Sequence, residues 1–154
     1  MERVVRHFQE ELGVLQERLL AMGGFAEERV RESVLALAAR DAALVDRVLA
    51  GDEPINDLHI EIDDRCFKLL ALHQPMAADL RAIVAAVKIN TDLERVGDLA
   101  VNLSEAARRY LQHPPVKELI DIPRMAELAQ DMLRDALDVI YPRGWSDLAV
   151  AGRT

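Results

Sequence analysis

From Val4 onward, apolar residues fall on one line of a helical wheel: Val4, Phe8, Leu12, Leu15, Leu19, Met22, Ala26, Val30, Val34 and Leu37, each three or four positions after the last. That spacing keeps one face apolar and predicts a single amphipathic helix over residues 3–39. At ~1.5 Å per residue it would be about 55 Å long. Gly13, Gly23 and Gly24 weaken it locally, by up to ~1 kcal/mol each, and leave room for a neighbouring helix to approach. Asp41 is placed to cap a second helix, its carboxylate accepting a backbone N–H of the first turn. Leu44, Val48, Ile55, Leu58, Ile62, Cys66 and Leu69 are expected on the buried face of that helix. Pro54 has no N–H and its ring crowds the preceding turn, so a kink or short break is expected there. Gln74 precedes Pro75 and is pushed out of the α region, which ends the helix near His73. Pro75 is expected in the first turn of a third helix that runs to about Gln112 and stops at Pro114-Pro115. Three long helices with short joins predict an all-α, antiparallel three-helix bundle in up-down-up order. A fourth helix is signalled from Pro123, with Met125, Leu128, Met132, Leu133, Ala136, Leu137 and Ile140 as its stripe.

The third helix carries a second pattern. Leu80, Ile83, Val84 and Val87 share one face, whereas Ile89, Leu93, Val96, Ala100, Leu103 and Ala107 share the opposite one, so the apolar stripe is expected to switch sides. Past the switch the first face holds Thr91, Glu94, Asp98, Asn102 and Glu105. Glu94 and Asp98 lie at i and i+4, so their carboxylates project together about one turn apart. An exposed acidic face is the plain reading. An oxygen-rich cation site is the sharper one, because like-charged carboxylates so placed suit a cation. His59 and Asp63 form a similar i, i+4 pair on the second helix, a spacing equally suited to a surface or interhelical histidine.

Composition narrows the function classes. Hydrophobic residues are 51% and charged residues 30% of 154, which is globular rather than disordered. A net charge of -8 lacks the basic stripe a nucleic-acid partner needs, and it gives no electrostatic attraction to anionic lipid. Cys66 is the single cysteine, so no internal disulfide can form. The start of the chain has no apolar leader and no stretch approaches the roughly 20 apolar residues of a membrane span, which predicts a cytoplasmic protein. No His has a Glu three positions before it, and no P-loop, G-x-S-x-G or H-E-x-x-H occurs, so no enzyme is expected.

Ile62-Asp63-Asp64-Arg65-Cys66, Leu69-Leu70-Ala71-Leu72-His73-Gln74-Pro75 and Ala78-Asp79-Leu80-Arg81 are similar to the junction between second and third helices of the PhoU family. Lys88-Ile89-Asn90-Thr91-Asp92-Leu93-Glu94-Arg95-Val96-Gly97-Asp98, followed by Asn102, resembles its third helix, and Met22-Gly23-Gly24 with Glu27 its first. The resemblance implies two tandem three-helix bundles and a negative regulator of the phosphate-starvation response. It implies partners too: the ATPase subunit of the phosphate ABC transporter and a membrane sensor histidine kinase, with the membrane reached only through them. The stripe of the fourth helix finds no partner helices of a second bundle in this chain, so that helix is expected either to pair with its copy in a homodimer or to detach from the first bundle. The resemblance also implies an iron or zinc cluster, whose ligands would map onto Glu94, Asp98, Asp63 and position 59.

Two departures qualify what is implied. His59 stands where the family has an acidic residue; histidine still ligates zinc or iron. The resemblance to the second repeat, which begins around Ile122-Pro123-Arg124-Met125, stops after Tyr141. The expected division is therefore a PhoU-like bundle at 1–113, a linker at 114–122, the first helix of an incomplete second bundle at 123–141, and an irregular tail at 142–154. A truncated or frameshifted reading, or a natural short variant, would leave that pattern. The alternative functions are a metal-free structural helical adaptor and an inactive fragment of such a regulator.

Overall fold

A computed structural model describes residues 2–51, 53–115 and 117–140. Five helices follow in order: α1 (Glu2–Ala39), α2 (Ala42–Ala50), α3 (Glu53–His73), α4 (Ala77–Leu111) and α5 (Asp121–Ile140). Among the described residues there is no strand. α1 and α4 are the long members, α2 and α3 together form the third rod, and α5 lies against α1. The expected tail at 142–154 lies outside the described residues.

Local chemistry sets each boundary. α1 ends in a Schellman turn: Arg40 takes φ 54°, its N–H donates to Leu37, and the Asp41 N–H donates to Ala36 at 3.0 Å. Arginine in this left-handed position costs roughly 1–2 kcal/mol, and it has tertiary work there. Its Nη2 donates to the carbonyls of Leu111 and His113 at the free end of α4, and its guanidinium lies 4.9 Å from the Tyr110 ring centroid. Asp41 caps α2 as expected, accepting from the Leu44 N–H at 3.0 Å. The break before Pro54 is present, with α2 stopping at Ala50. Arg29, nearly buried on α1, donates to the Val48 carbonyl at the open end of α2.

Two expectations about α4 are corrected. Pro75 does not enter its first turn: Gln74, at φ 45°, turns the chain, and α4 starts at Ala77 with Met76 as N-cap. The apolar stripe does not switch sides either. The buried positions run Ile83, Ala86, Asn90, Leu93, Gly97, Ala100, Ser104 and Ala107, one unbroken line at steps of three and four. Leu80 and Val84 are exposed. The seam passes through an asparagine, a glycine and a serine, which a wheel weighted by large apolar residues skips.

The core has two parts. The larger joins Phe8, Leu12, Leu15, Leu19 and Met22 of α1 to Ile55, Ile62, Cys66 and Leu69 of α3 and to Ile83, Ala86 and Leu93 of α4. The smaller, at the other end, joins Ala36 and Leu37 to Leu44, Val45 and Ala107. Leu119 packs on the smaller part and so holds the connection between α4 and α5 against the bundle.

The expectation that the fourth stripe finds no cover in its own chain is also corrected in part. Leu133 and Leu137 pack against the larger core and Ala126 is buried. Leu137 sits directly over Gly23, where a Cβ would come within 2.6 Å of its Cδ2. Arg134 adds a side-chain clip to Glu27 of α1. Met125, Leu128 and Met132 of the same stripe stay exposed.

The helical glycines therefore separate by context. A Cβ on Gly13 or Gly24 meets nothing within 4 Å. Gly24→Ala is expected to gain helix propensity and raise stability by about 0.5–1 kcal/mol. Gly23→Ala is expected to gain clearly less, because Leu137 must move. Equal gains in thermal unfolding of the two variants would show that α5 does not rest on Gly23.

Candidate functional site: a polar node between α3 and α4

Asn90 is fully buried in the α4 seam. Its Nδ2 donates to the His59 carbonyl at 2.9 Å and to Asp63 Oδ1 at 2.9 Å, so one amide clips α4 to two successive turns of α3. His59 Nε2 lies 3.9 Å from Asp63 Oδ2, beyond a hydrogen bond but close enough for attraction when the imidazole is protonated. His59 Nδ1 and Asn90 Oδ1 are buried with no hydrogen-bond partner among the described residues. On the other flank of α3, Glu61 and Arg65 pair at 2.9 Å and reach α1 through Arg18 and Glu11, at 3.1 and 3.5 Å. α3 is thus held by charge on its α1 side and by an amide on its α4 side.

One turn past Asp63, Cys66 is fully buried. Burial, with the Asp63 charge as the smaller cause, pushes its thiol from 9.0 up to about 12. A thiol so protonated is a packing group and not a nucleophile.

His59 and Asp63 are brought together as expected. Glu94 and Asp98 lie one turn apart on α4, Glu94 half-buried and Asp98 exposed. Among the described residues no group of three or more His, Cys, Asp or Glu side chains is placed to hold a metal ion. Each pair alone offers two ligands, short of the set a preformed zinc or iron site takes. Asn90 was the residue that spacing under-read. Its signal was present: it fills the one polar gap between Ala86 and Leu93 in an otherwise regular seam.

The fold places the chain among all-helical bundle proteins. Residues 19–107 match the PhoU domain. A phosphate-specific transport system accessory protein PhoU homolog from Caulobacter vibrioides is 44% identical over 138 residues, 89% of this chain and 60% of that protein. The homolog from Aquifex aeolicus is 35% identical over 127 residues, 82% of this chain and 58% of that protein. The crystal structure of PhoU from Pseudomonas aeruginosa superposes with a TM-score of 0.84 at 34% identity, over 94% of this chain and 69% of that one. The chain belongs to the PhoU family, and it spans about three fifths of the length of these curated relatives.

Two outcomes test the node. Asn90→Ala is expected to cost about 2–3 kcal/mol, through the lost clip and a small cavity, in chemical denaturation. A loss under about 0.5 kcal/mol would mean the clip is not formed. For Cys66 the unfolded thiol ionises near pH 9.0 while the folded thiol stays protonated to about 12. Its contribution is therefore constant below pH 9 and falls as pH rises through that window, by up to about 1.4 kcal/mol per unit. Cys66→Ala is expected to lack this alkaline slope, and a slope unchanged by the substitution would assign it to other groups.

Proposed function

We propose that the chain is a regulatory accessory of phosphate uptake and phosphate-starvation signalling, a negative regulator that works by protein–protein contact. The observation that carries this reading is family membership across residues 19–107, together with relatives named as phosphate-specific transport system accessory proteins. The proposed partners are the ATPase subunit of a phosphate ABC transporter and a sensor histidine kinase, with a homodimer as the working form. Contact with the membrane would run through those partners, since no helix among the described residues is long and apolar enough to cross one. Rigid long helices with buried polar clips suit a docking scaffold. The node supplies hydrogen bonds and packing, and its one thiol is held protonated.

The test is repression. Expressed in cells that lack their own PhoU-family gene and are kept in high phosphate, the chain is expected to lower alkaline phosphatase and to co-purify with the transporter ATPase. Persistent alkaline phosphatase, in cells where a full-length relative restores repression, would overturn the reading.

An iron or zinc role is a separate proposal. The donor set fits weak binding at Glu94 and Asp98, with His59 and Asp63 as neighbours, better than a preformed cluster. Calorimetry on untagged protein is expected to show weak binding that Glu94→Gln with Asp98→Asn abolishes while helicity is unchanged. No heat from the wild type at millimolar zinc, iron or manganese would leave the metal-free helical adaptor as the better description.

A further inference from the structure

The outer seam between α3 and α4 lies on the side of the bundle away from α5, which packs on α1 and faces α4 along its other flank, at Val96, Leu99 and Leu103. Asn90 fixes the register of the seam, because it sits opposite His59 and Asp63, and Gly97 agrees by sitting opposite Ile55. The two helices run antiparallel. Equal steps from that grip, back along α4 and forward along α3, bring Val84 level with Phe67 and Leu80 level with Leu70. Stepping the other way brings Thr91 level with Ile60. Phe67 is 66% exposed and Ile60 67%, and Leu80 and Val84 are exposed as well. Leu70 and Val87 continue this apolar surface inward to the core.

The seam changes chemistry along its length. Beyond Thr91, Glu94 and Asp98 project from α4, the first half-buried and the second exposed. No hydrogen bond or ion pair engages either carboxylate among the described residues. Asp63, midway along, is met by the neutral Asn90 amide and by His59 at 3.9 Å. Other carboxylates between helices, those of Glu11, Glu61, Asp46 and Glu27, each face an arginine. Lys88 and Arg95 stand on the solvent side of α4, turned from its buried line, and Arg95 pairs with Asp92. The seam is thus apolar at one end and acidic at the other. At ~1.5 Å per residue, Val84 and the pair Glu94 and Asp98 are about 15–21 Å apart.

We infer that this seam seats an amphipathic helix of another protein, apolar at one end and carrying Lys or Arg about three to four turns further on. Its apolar side chains cover Phe67, Val84 and Ile60, and its basic ones neutralise Glu94 and Asp98. A second copy of this chain does not fit. Two-fold pairing through the seam either sets Glu94 and Asp98 against the same residues or lays them on the partner's apolar end. Both arrangements leave the carboxylates without a cation, in a chain of net charge -8. The inference goes beyond the proposed function, since it names the chemistry of a partner from register, exposure and charge.

The test uses the full chain in EDTA, so that no metal occupies Glu94 and Asp98. Phe67→Cys is expected to react with a maleimide about as fast as a free cysteine, while buried Cys66 stays unmodified. A rate lower by about a hundredfold or more would show that the seam is already covered within the chain, and overturns the inference. Fluorescence anisotropy then compares labelled helical peptides of about five turns that share a leucine stripe at one end and carry Lys, Gln or Glu at the other. Saturable binding is expected in the order Lys, Gln, Glu, with the Lys peptide about tenfold or more tighter than the Glu peptide at low salt and the gap narrowed by high salt. Glu94→Gln with Asp98→Asn is expected to lower the Lys peptide to the level of the Gln peptide and to leave the Gln peptide unchanged. Phe67→Gln with Val84→Gln is expected to weaken the Lys and Gln peptides by about tenfold or more. Unchanged thermal melts show that the variants fold, and Ile60→Gln replaces the apolar pair if its melt falls. No saturable binding, equal affinity for the Lys and Glu peptides, or binding that survives the apolar substitutions overturns the inference. So does a dimer in sedimentation that Phe67→Gln dissociates, which gives the seam to a second copy. None of these outcomes involves a phosphate-signalling component, so failure here leaves the proposed function standing.

Discussion

Everything in this fold depends on how closely α4 can lie against its neighbours. Its inward line is mostly small: Ala86, Gly97, Ala100, Ser104 and Ala107, with Asn90 between the larger Ile83 and Leu93. At Gly97 a Cβ would stand 3.0 Å from Ile55 Cδ1, so α3 rests almost on the α4 backbone there. Close approach multiplies weak dispersion contacts along the whole length of two long helices, and such contacts are individually tiny and collectively large. With few aromatic rings to fill wide gaps, the bundle gains its density from narrow ones. The large residues are supplied from the other side, by Leu15, Leu19 and Met22 of α1 and by Ile55 and Ile62 of α3.

Close packing by small residues has a weakness, because it says little about register. Polar side chains supply that information. Asn90 grips His59 and Asp63, Arg29 grips the end of α2, Arg40 grips the end of α4, and Arg108 pairs with Asp46 at 2.8 Å. Each contact is possible at only one longitudinal position. The exposed pair between Arg108 and Asp46 adds little energy. The buried amide and the two arginine caps satisfy backbone or carboxylate groups that would otherwise be left without partners, which costs more than the bonds themselves return.

This division explains what the sequence made legible. The α1 seam, the Asp41 cap, the break at Pro54 and the ends near His73 and Gln112 each follow from a rule confined to a few neighbouring residues, and each appears in the structure. The course of the α4 seam was misjudged because Asn90, Gly97 and Ser104 bury for reasons of size and partnership that a hydrophobic period does not register. The seat of α5 over Gly23 was missed for a related reason: a glycine in a helix signals a nearby backbone without saying which element supplies it. At the node, the pairing of His59 with Asp63 was readable from i, i+4 spacing. Its connection to Asn90, 27 residues further along the chain than Asp63, was not. Only the tertiary fold brings those positions together.

The same logic bears on how an acidic bundle chooses a partner. Most of its ion pairs are spent internally: Glu11, Glu61, Asp46 and Glu27 face arginines of neighbouring helices. The carboxylates left outward on α5 border an apolar strip rather than lie scattered among basic residues. An apolar strip gives affinity with little discrimination, because any helix of suitable width can cover it. A charged border discriminates strongly and contributes little net affinity, since its groups remain hydrated. α5 itself is clipped to α1 mainly by Leu133, Leu137 and Arg134. Its seat is therefore set in part by the packing at Gly23.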